Sequence, residues 1–321
     1  MTSPASQPRL GAASPVEPVD PERIRRIMER VRQIEIRTRR QVDEMLAGHY
    51  RSVFRGRGID FDSVREYVPG DETRAIDWNV TARANRPFVK MFREERELVV
   101  WILVDVSASG DFGSADTTKR ELAAELACVL ALSAVRNNDK VGLLMFSDRV
   151  EVQVPPAKGR AHVMRVVRDI LNCRPSGRGT DIAAALDLVG RTALRRSIVF
   201  LISDFELPDD GGTSLAALLR AARPVGARHD VVGFELRDPR ERELPDLGLI
   251  SLEDAETGEV IALDTGRRRV RQRFAAQAQK RDEDMRRALR RVRVETLPLD
   301  PARPYLPELL EFFESRERRL G

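Results

Sequence analysis

The chain has 321 residues, 42% hydrophobic and 33% charged, with 55 Lys and Arg against 51 Asp and Glu for a net charge of +4. That length can bury a full core, the apolar fraction excludes a wholly disordered chain, and the near-cancelling charges argue against a general polyanion binder, so stable nucleic-acid binding is not expected. Cys128 and Cys173 lack metal-ligand spacing and support neither a disulfide framework nor a zinc site, which suits a reducing, cytoplasmic setting. No stretch reaches the roughly 18 apolar residues of a membrane span, and the N-terminus lacks a signal peptide's apolar core.

Residues 1–19, rich in Pro, Ala and Ser, read as a disordered leader. Asp20 offers a helix N-cap with Pro21 behind it, and Ile24, Ile27, Val31 and Ile34 recur at helical spacing, continued by Val42, Met45 and Leu46. Between residues 51 and 97 basic residues alternate with acids, and Phe54, Phe61, Tyr67, Trp78, Phe88 and Phe92 are interspersed. Interleaved cations and aromatics can bind single-stranded nucleic acid, but the accompanying acids favour a small packed β-rich subdomain. Residues 20–97 are therefore expected to form a helix and a β-rich attachment to a domain spanning 98–321.

From residue 98 the pattern is regular. Apolar runs predict strands over 98–106, 141–146, 150–154, 198–203 and 231–236, and helical spacing predicts helices over 117–135, 163–171, 182–194 and 215–222. A hairpin near 249–263, a basic helix over 267–290, a strand over 292–297 and a helix over 304–318 complete the chain. Alternation of strands and helices predicts an α/β fold with a doubly wound, mostly parallel sheet.

Ligands of such sheets sit beyond the carboxyl ends of the strands, where strand order reverses. Three polar pieces should meet there: Asp105-Val106-Ser107-Ala108-Ser109 after the first strand, Gly179-Thr180-Asp181 at a helix mouth, and Ser203-Asp204 ending a later strand. Asp105, Ser107, Ser109, Thr180 and Asp204 together offer two carboxylates and three hydroxyls, hard oxygen ligands suited to Mg²⁺, with Mn²⁺ or Ca²⁺ as alternatives. The set is too small to satisfy the ion alone, so a partner's carboxylate could complete it.

These five residues resemble the metal-ion-dependent adhesion site of von Willebrand factor A domains, and residues 98–300 resemble that fold. The segments GRGIDF from residue 56 and REYVPGDETRAIDW from residue 65, with Ala82-Arg83, are similar to the bacterial domain-of-unknown-function 58 family. The resemblance implies a metal-dependent protein-interaction module, an adaptor or co-chaperone for a MoxR-type AAA+ ATPase, and not a catalyst. Gly110-Asp111 departs from the A-domain pattern, where a bulky apolar residue often follows the second Ser, but leaves every proposed ligand in place. Many family members look membrane-anchored; this chain does not.

The enzymatic rivals lack essential groups. A Mg²⁺-dependent phosphatase of the haloacid-dehalogenase type needs a second carboxylate two residues after the first, where Ser107 stands. A serine hydrolase would need a His base and a G-x-S-x-G elbow, and none of His49, His162 or His229 accompanies one. No G-x-x-x-x-G-K-[ST] phosphate loop is present. The Arg-rich helix at 267–291 is an alternative surface for acidic partners, RNA or lipid, although Val270, Phe274, Met285 and Leu289 give it the core-facing side of an ordinary outer helix.

Overall fold

Alternation along one strand explains both layers of the molecule. In the computed structural model, which describes residues 59–94, 97–113, 117–208, 210–253 and 260–320 together with Arg25, Glu29 and Arg32, the run after residue 98 forms β3 (Val99–Asp105). Val100, Ile102 and Val104 pack on one side with Leu126, Val163 and Phe313, whereas Trp101 and Leu103 pack on the other with Leu186, Leu218 and Leu289. A strand alternates its side chains across the sheet, so a continuous apolar run demands cover on both faces.

That cover comes from α2 (Lys119–Arg136), α3 (Arg160–Asn172) and α7 (Tyr305–Leu320) on one face, and from α4 (Ile182–Thr192), α5 (Thr213–Arg228) and α6 (Arg268–Arg291) on the other. The other strands of the sheet are β4 (Lys140–Phe146), β5 (Val150–Ala157), β6 (Ile198–Ser203), β7 (Asp230–Leu236) and β10 (Val294–Leu299), ordered β10-β7-β6-β3-β4-β5. Every neighbouring pair is parallel except β4 with β5. The chain builds outward from β3 through β4 to β5, then crosses back to β6, so strand order reverses between β3 and β6. The sheet is thus doubly wound and mostly parallel, as the sequence predicts.

Outside this sheet, β8 (Leu249–Glu253) and β9 (Val260–Asp264) form the expected hairpin, while β1 (Ile59–Glu66) and β2 (Phe88–Glu94) pair as a separate two-stranded sheet. Between the latter two lies α1 (Trp78–Ala84), capped by the Asp77 carboxylate, which accepts from the Asn79 and Val80 amides. Trp78 stands 69% exposed on it. Of the helix expected over 20–46, Arg25, Glu29 and Arg32 are helical and exposed; its apolar stripe and the 1–19 leader lie outside the described residues. Among the described residues no helix is long and apolar enough to cross a membrane.

Among the boundaries that differ from expectation, two follow from packing at the end of a helix. Helix α5 runs on through Pro224 to Arg228 instead of ending near residue 222, because Val225 and its neighbours bury against the sheet and offset the one hydrogen bond that proline removes. Strand β10 starts at Val294 instead of residue 292, since Val292 caps α6 and Arg293 turns the chain at a φ of 62°. The helix α5 continuation brings Gly226 against this turn: a Cβ there would lie 2.3 Å from the Val292 carbonyl oxygen. Gly226→Ala should therefore cost about 1–3 kcal/mol through overpacking, despite alanine's better helix propensity. A thermal melt tests this; an unchanged midpoint would show that the turn gives way freely.

Candidate metal centre

The three polar pieces meet at the strand-order reversal. Asp105 ends β3, Ser107 and Ser109 follow in a short 3-10 turn, Thr180 precedes α4, and Asp204 follows β6. The Ser107 amide donates to Asp105 Oδ1 at 3.0 Å, the Ser107 and Ser109 hydroxyls are 3.0 Å apart, and Thr180 Oγ1 donates to Asp105 Oδ2 at 3.4 Å. Asp105, Ser107 and Thr180 are buried. Asp204 is joined to them through Ser203, whose hydroxyl donates to Asp105 Oδ2 at 2.7 Å.

Each piece is held by local structure. Glu151 on β5 accepts from the Ser147 hydroxyl at 2.6 Å and from the Ser176 and Gly177 amides at 2.9 Å, fastening the loop that delivers Thr180 to the sheet. The Ala108 amide donates to the Arg178 carbonyl at 3.0 Å, tying that loop to the serine turn. After Asp204 the chain turns sharply: Phe205 adopts a φ of 56°, unusual for a bulky residue, and its amide donates to Ser203 Oγ at 3.0 Å. Strained backbone of this kind persists where surrounding structure fixes it; here the Phe205 ring is buried.

Burial, and then the negative charge of Asp204, push Asp105 up to about 6 against the hydrogen bonds from Ser107 and Ser203. The carboxylate is therefore short of positive charge. Asp204 has a partner of its own: Lys119 Nζ lies 2.7 Å from Asp204 Oδ2 and 2.6 Å from Glu241 Oε1, and the Lys119 side chain is 1% exposed. Burial alone would lower the Lys119 pKa, yet the two carboxylates outweigh it and raise it. The assembled donors are all hard oxygens, a set that fits a small divalent cation better than a soft metal. Among the described residues no three His, Cys, Asp or Glu side chains cluster to hold an ion, so an ion at this place would depend on the hydroxyls and an outside ligand.

The family model described as protein of unknown function DUF58 matches residues 63–284. The chain belongs to the DUF58 family. Uncharacterized proteins of Mycobacterium tuberculosis and Mycobacterium bovis are 34% identical to it over 292 residues, covering 90% of this chain and 89% of theirs. Among solved structures, BatB from Bacteroides thetaiotaomicron is 19% identical with a TM-score of 0.46, covering 69% of this chain and 99% of that one. The SpRpn10 VWA domain is 14% identical with a TM-score of 0.37, covering 67% and 94%. These are distant likenesses. The DUF58 chain has a von Willebrand factor A-like fold, visible in its own sheet order and its antiparallel edge strand β5.

Sequence reading of this DUF58 chain brought Ser203 to the site without giving it a role, and missed Lys119, Glu241 and Glu151 there. Lys119 carried a usable signal: a cation in the first turn of a helix opposes the macrodipole, and so asks for another reason to be there. Part of the Arg-rich helix α6 is engaged within the molecule, while Arg268, Arg269, Arg273, Arg290 and Arg291 are exposed. Arg286 pairs with Glu235 at 3.2 Å, Arg281 with Glu206 at 3.7 Å and Arg271 with Asp246 at 3.0 Å, while Ala278 and Leu289 are buried.

Proposed function

We propose that this chain is a metal-dependent protein–protein interaction module, an adaptor or co-chaperone for a MoxR-type AAA+ ATPase, with no catalytic chemistry of its own. The observation that carries this reading is the convergence of Asp105, Ser107, Ser109 and Thr180 through a chain of hydrogen bonds beside Asp204. Those five residues would hold Mg²⁺, with Mn²⁺ or Ca²⁺ as alternatives. When bound, the ion supplies an electron-poor position able to take a partner's carboxylate. The chain's contribution is to present few charged ligands and several neutral hydroxyls, so that an incoming carboxylate improves the shell instead of crowding it. Glu151 and Phe205 hold the two loops that frame it.

The phosphatase-like alternative lacks a carboxylate at position 107, and the Arg-rich alternative is left with only those arginines of α6 that are not paired to the body of the protein, as Arg281 and Arg286 are. Binding to a MoxR-type AAA+ ATPase from the same organism tests the choice. It is expected to need Mg²⁺, to fail in EDTA, and to weaken by about 1–3 kcal/mol in Thr180→Ala, the cost of one hydrogen-bonding oxygen lost to a charged group. Docking through the Arg-rich helix predicts steep loss with salt and indifference to EDTA. Unchanged binding in EDTA and in Thr180→Ala would remove the metal-bridged reading.

A further inference from the structure

Lys119 is the first residue of α2, behind the Thr118 capping box. Two things count against an ammonium there. It sits at the positive end of the helix dipole, and its side chain is 1% exposed, whereas lysines are almost never fully buried without partners. A buried ion pair is also weak grounds for stability, because desolvation offsets most of the attraction. The fold does not explain Lys119 well, but its position does: it touches one candidate ligand, Asp204, and reaches Glu241, which lies in a short 3-10 turn (Pro239–Glu241) after β7.

Asp204 and Glu241 share one ammonium, and the Asp105 carboxylate beside Asp204 draws on no part of it. Negative charge thus exceeds the single ammonium around Asp204, an excess that a divalent cation would offset. Such a cation would draw on the same Asp204 carboxylate that Lys119 now holds, and the ammonium would stand close enough to repel it. Glu241 gives Lys119 a second anchor, so the lysine keeps a partner when Asp204 turns to the metal.

We propose that Lys119 is a built-in competitor for Asp204 that keeps the unpartnered protein's hold on divalent metal weak, with Glu241 setting how firmly it competes. This rests on the metal-site reading above. It makes partner and ion mutually dependent: the ion is retained when a partner's carboxylate adds the negative charge that Lys119 withholds. Lys119 is thereby a positioning residue that acts through Asp204.

Mn²⁺ affinity of the full chain, read by the paramagnetic signal of unbound Mn²⁺ and by the metal-induced shift in melting temperature, tests this directly. Lys119→Met should tighten Mn²⁺ binding at least tenfold, Glu241→Gln should weaken it several-fold, and Lys280→Met, which removes an exposed cation on α6, should change nothing. A lysine that merely buttresses Asp204 predicts the reverse, with Lys119→Met binding less well. Weaker or unchanged binding in Lys119→Met, or tighter binding in Glu241→Gln, overturns the proposal. If Lys119→Met does not fold, Glu241→Gln decides alone, since that side chain is 26% exposed and can be altered without emptying the core. Asp105→Asn separates the two levels: if it binds Mn²⁺ as the parent does, the site itself is misassigned and the proposal falls with it, whereas loss in Asp105→Asn with an unmoved Lys119→Met removes the proposal alone.

Discussion

Replacing Asp105 by Asn is expected to abolish divalent-metal binding and, with EDTA present, to leave the protein more stable at neutral pH, not less. The carboxyl is buried, and burial followed by the Asp204 charge raises its pKa to about 6, against an unfolded value near 3.9. Between those values the folded state holds the more protons, so stability falls as pH rises from about 4 to about 6. The loss is up to ~3 kcal/mol at about 1.4 kcal/mol per pKa unit, and it is complete by pH 7. Asparagine has no charge to bury. Its carbonyl can still accept from the Ser107 amide, and its amide can donate to the Ser203 hydroxyl, so the hydrogen bonds of the site survive in altered polarity. Mg²⁺ should stabilise the parent at pH 7 and leave the variant unmoved.

Urea unfolding at pH 4.5 and pH 7, each with EDTA and with Mg²⁺, reads all three effects. The parent should lose stability between the two pH values in EDTA, and the variant should lose less. Equal gains from Mg²⁺ in both proteins, or a variant less stable than the parent at pH 7 in EDTA, would refute the account of a buried, undercompensated carboxylate.

Much of this candidate site was legible because its residues stand where apolar runs stop. Strand β6 matches its predicted bounds, Ile198–Ser203, and the polar residue after a fully buried strand has to emerge at the sheet edge. The same logic placed Asp105, and the strand-order rule then brought Thr180 to the same edge. Lys119 and Glu241 escaped because their roles depend on pairings the local pattern does not encode: Lys119 lies 85 residues from Asp204 and 122 from Glu241 in the chain. Helix α5 was underestimated for a related reason. Pro224 reads as a stop signal in isolation, and only the packing of the final turn overrides it. The left-handed turn at Arg293, which delays β10, uses a residue with no local preference for that conformation.

The largest effect on stability is expected at Glu235, the cross-strand neighbour of Ser203 beside the candidate site. This carboxylate on β7 is wholly buried and pairs with Arg237 and, at 3.2 Å, with Arg286. The Arg237 side chain is 9% exposed and has one other acid partner, Asp282 at 2.9 Å, which must also satisfy Arg242. Burial pulls the Arg237 guanidinium down to about 9, so its charge is already costly to keep. Glu235→Ala would leave that charge underpaired between β7 and α6, a situation that costs about 3–5 kcal/mol. Arg286, 31% exposed, can swing to water; Arg237 cannot. The double variant Glu235→Met, Arg237→Met removes both buried charges and fills similar volume, so it should recover most of the loss, as apolar replacement of a buried pair generally does. Denaturant unfolding of the parent, the single variant and the double variant measures this. A single variant within about 1 kcal/mol of the parent, or a double variant no better than the single, would show that water reaches Arg237 and that the network does not lock α6 against the sheet.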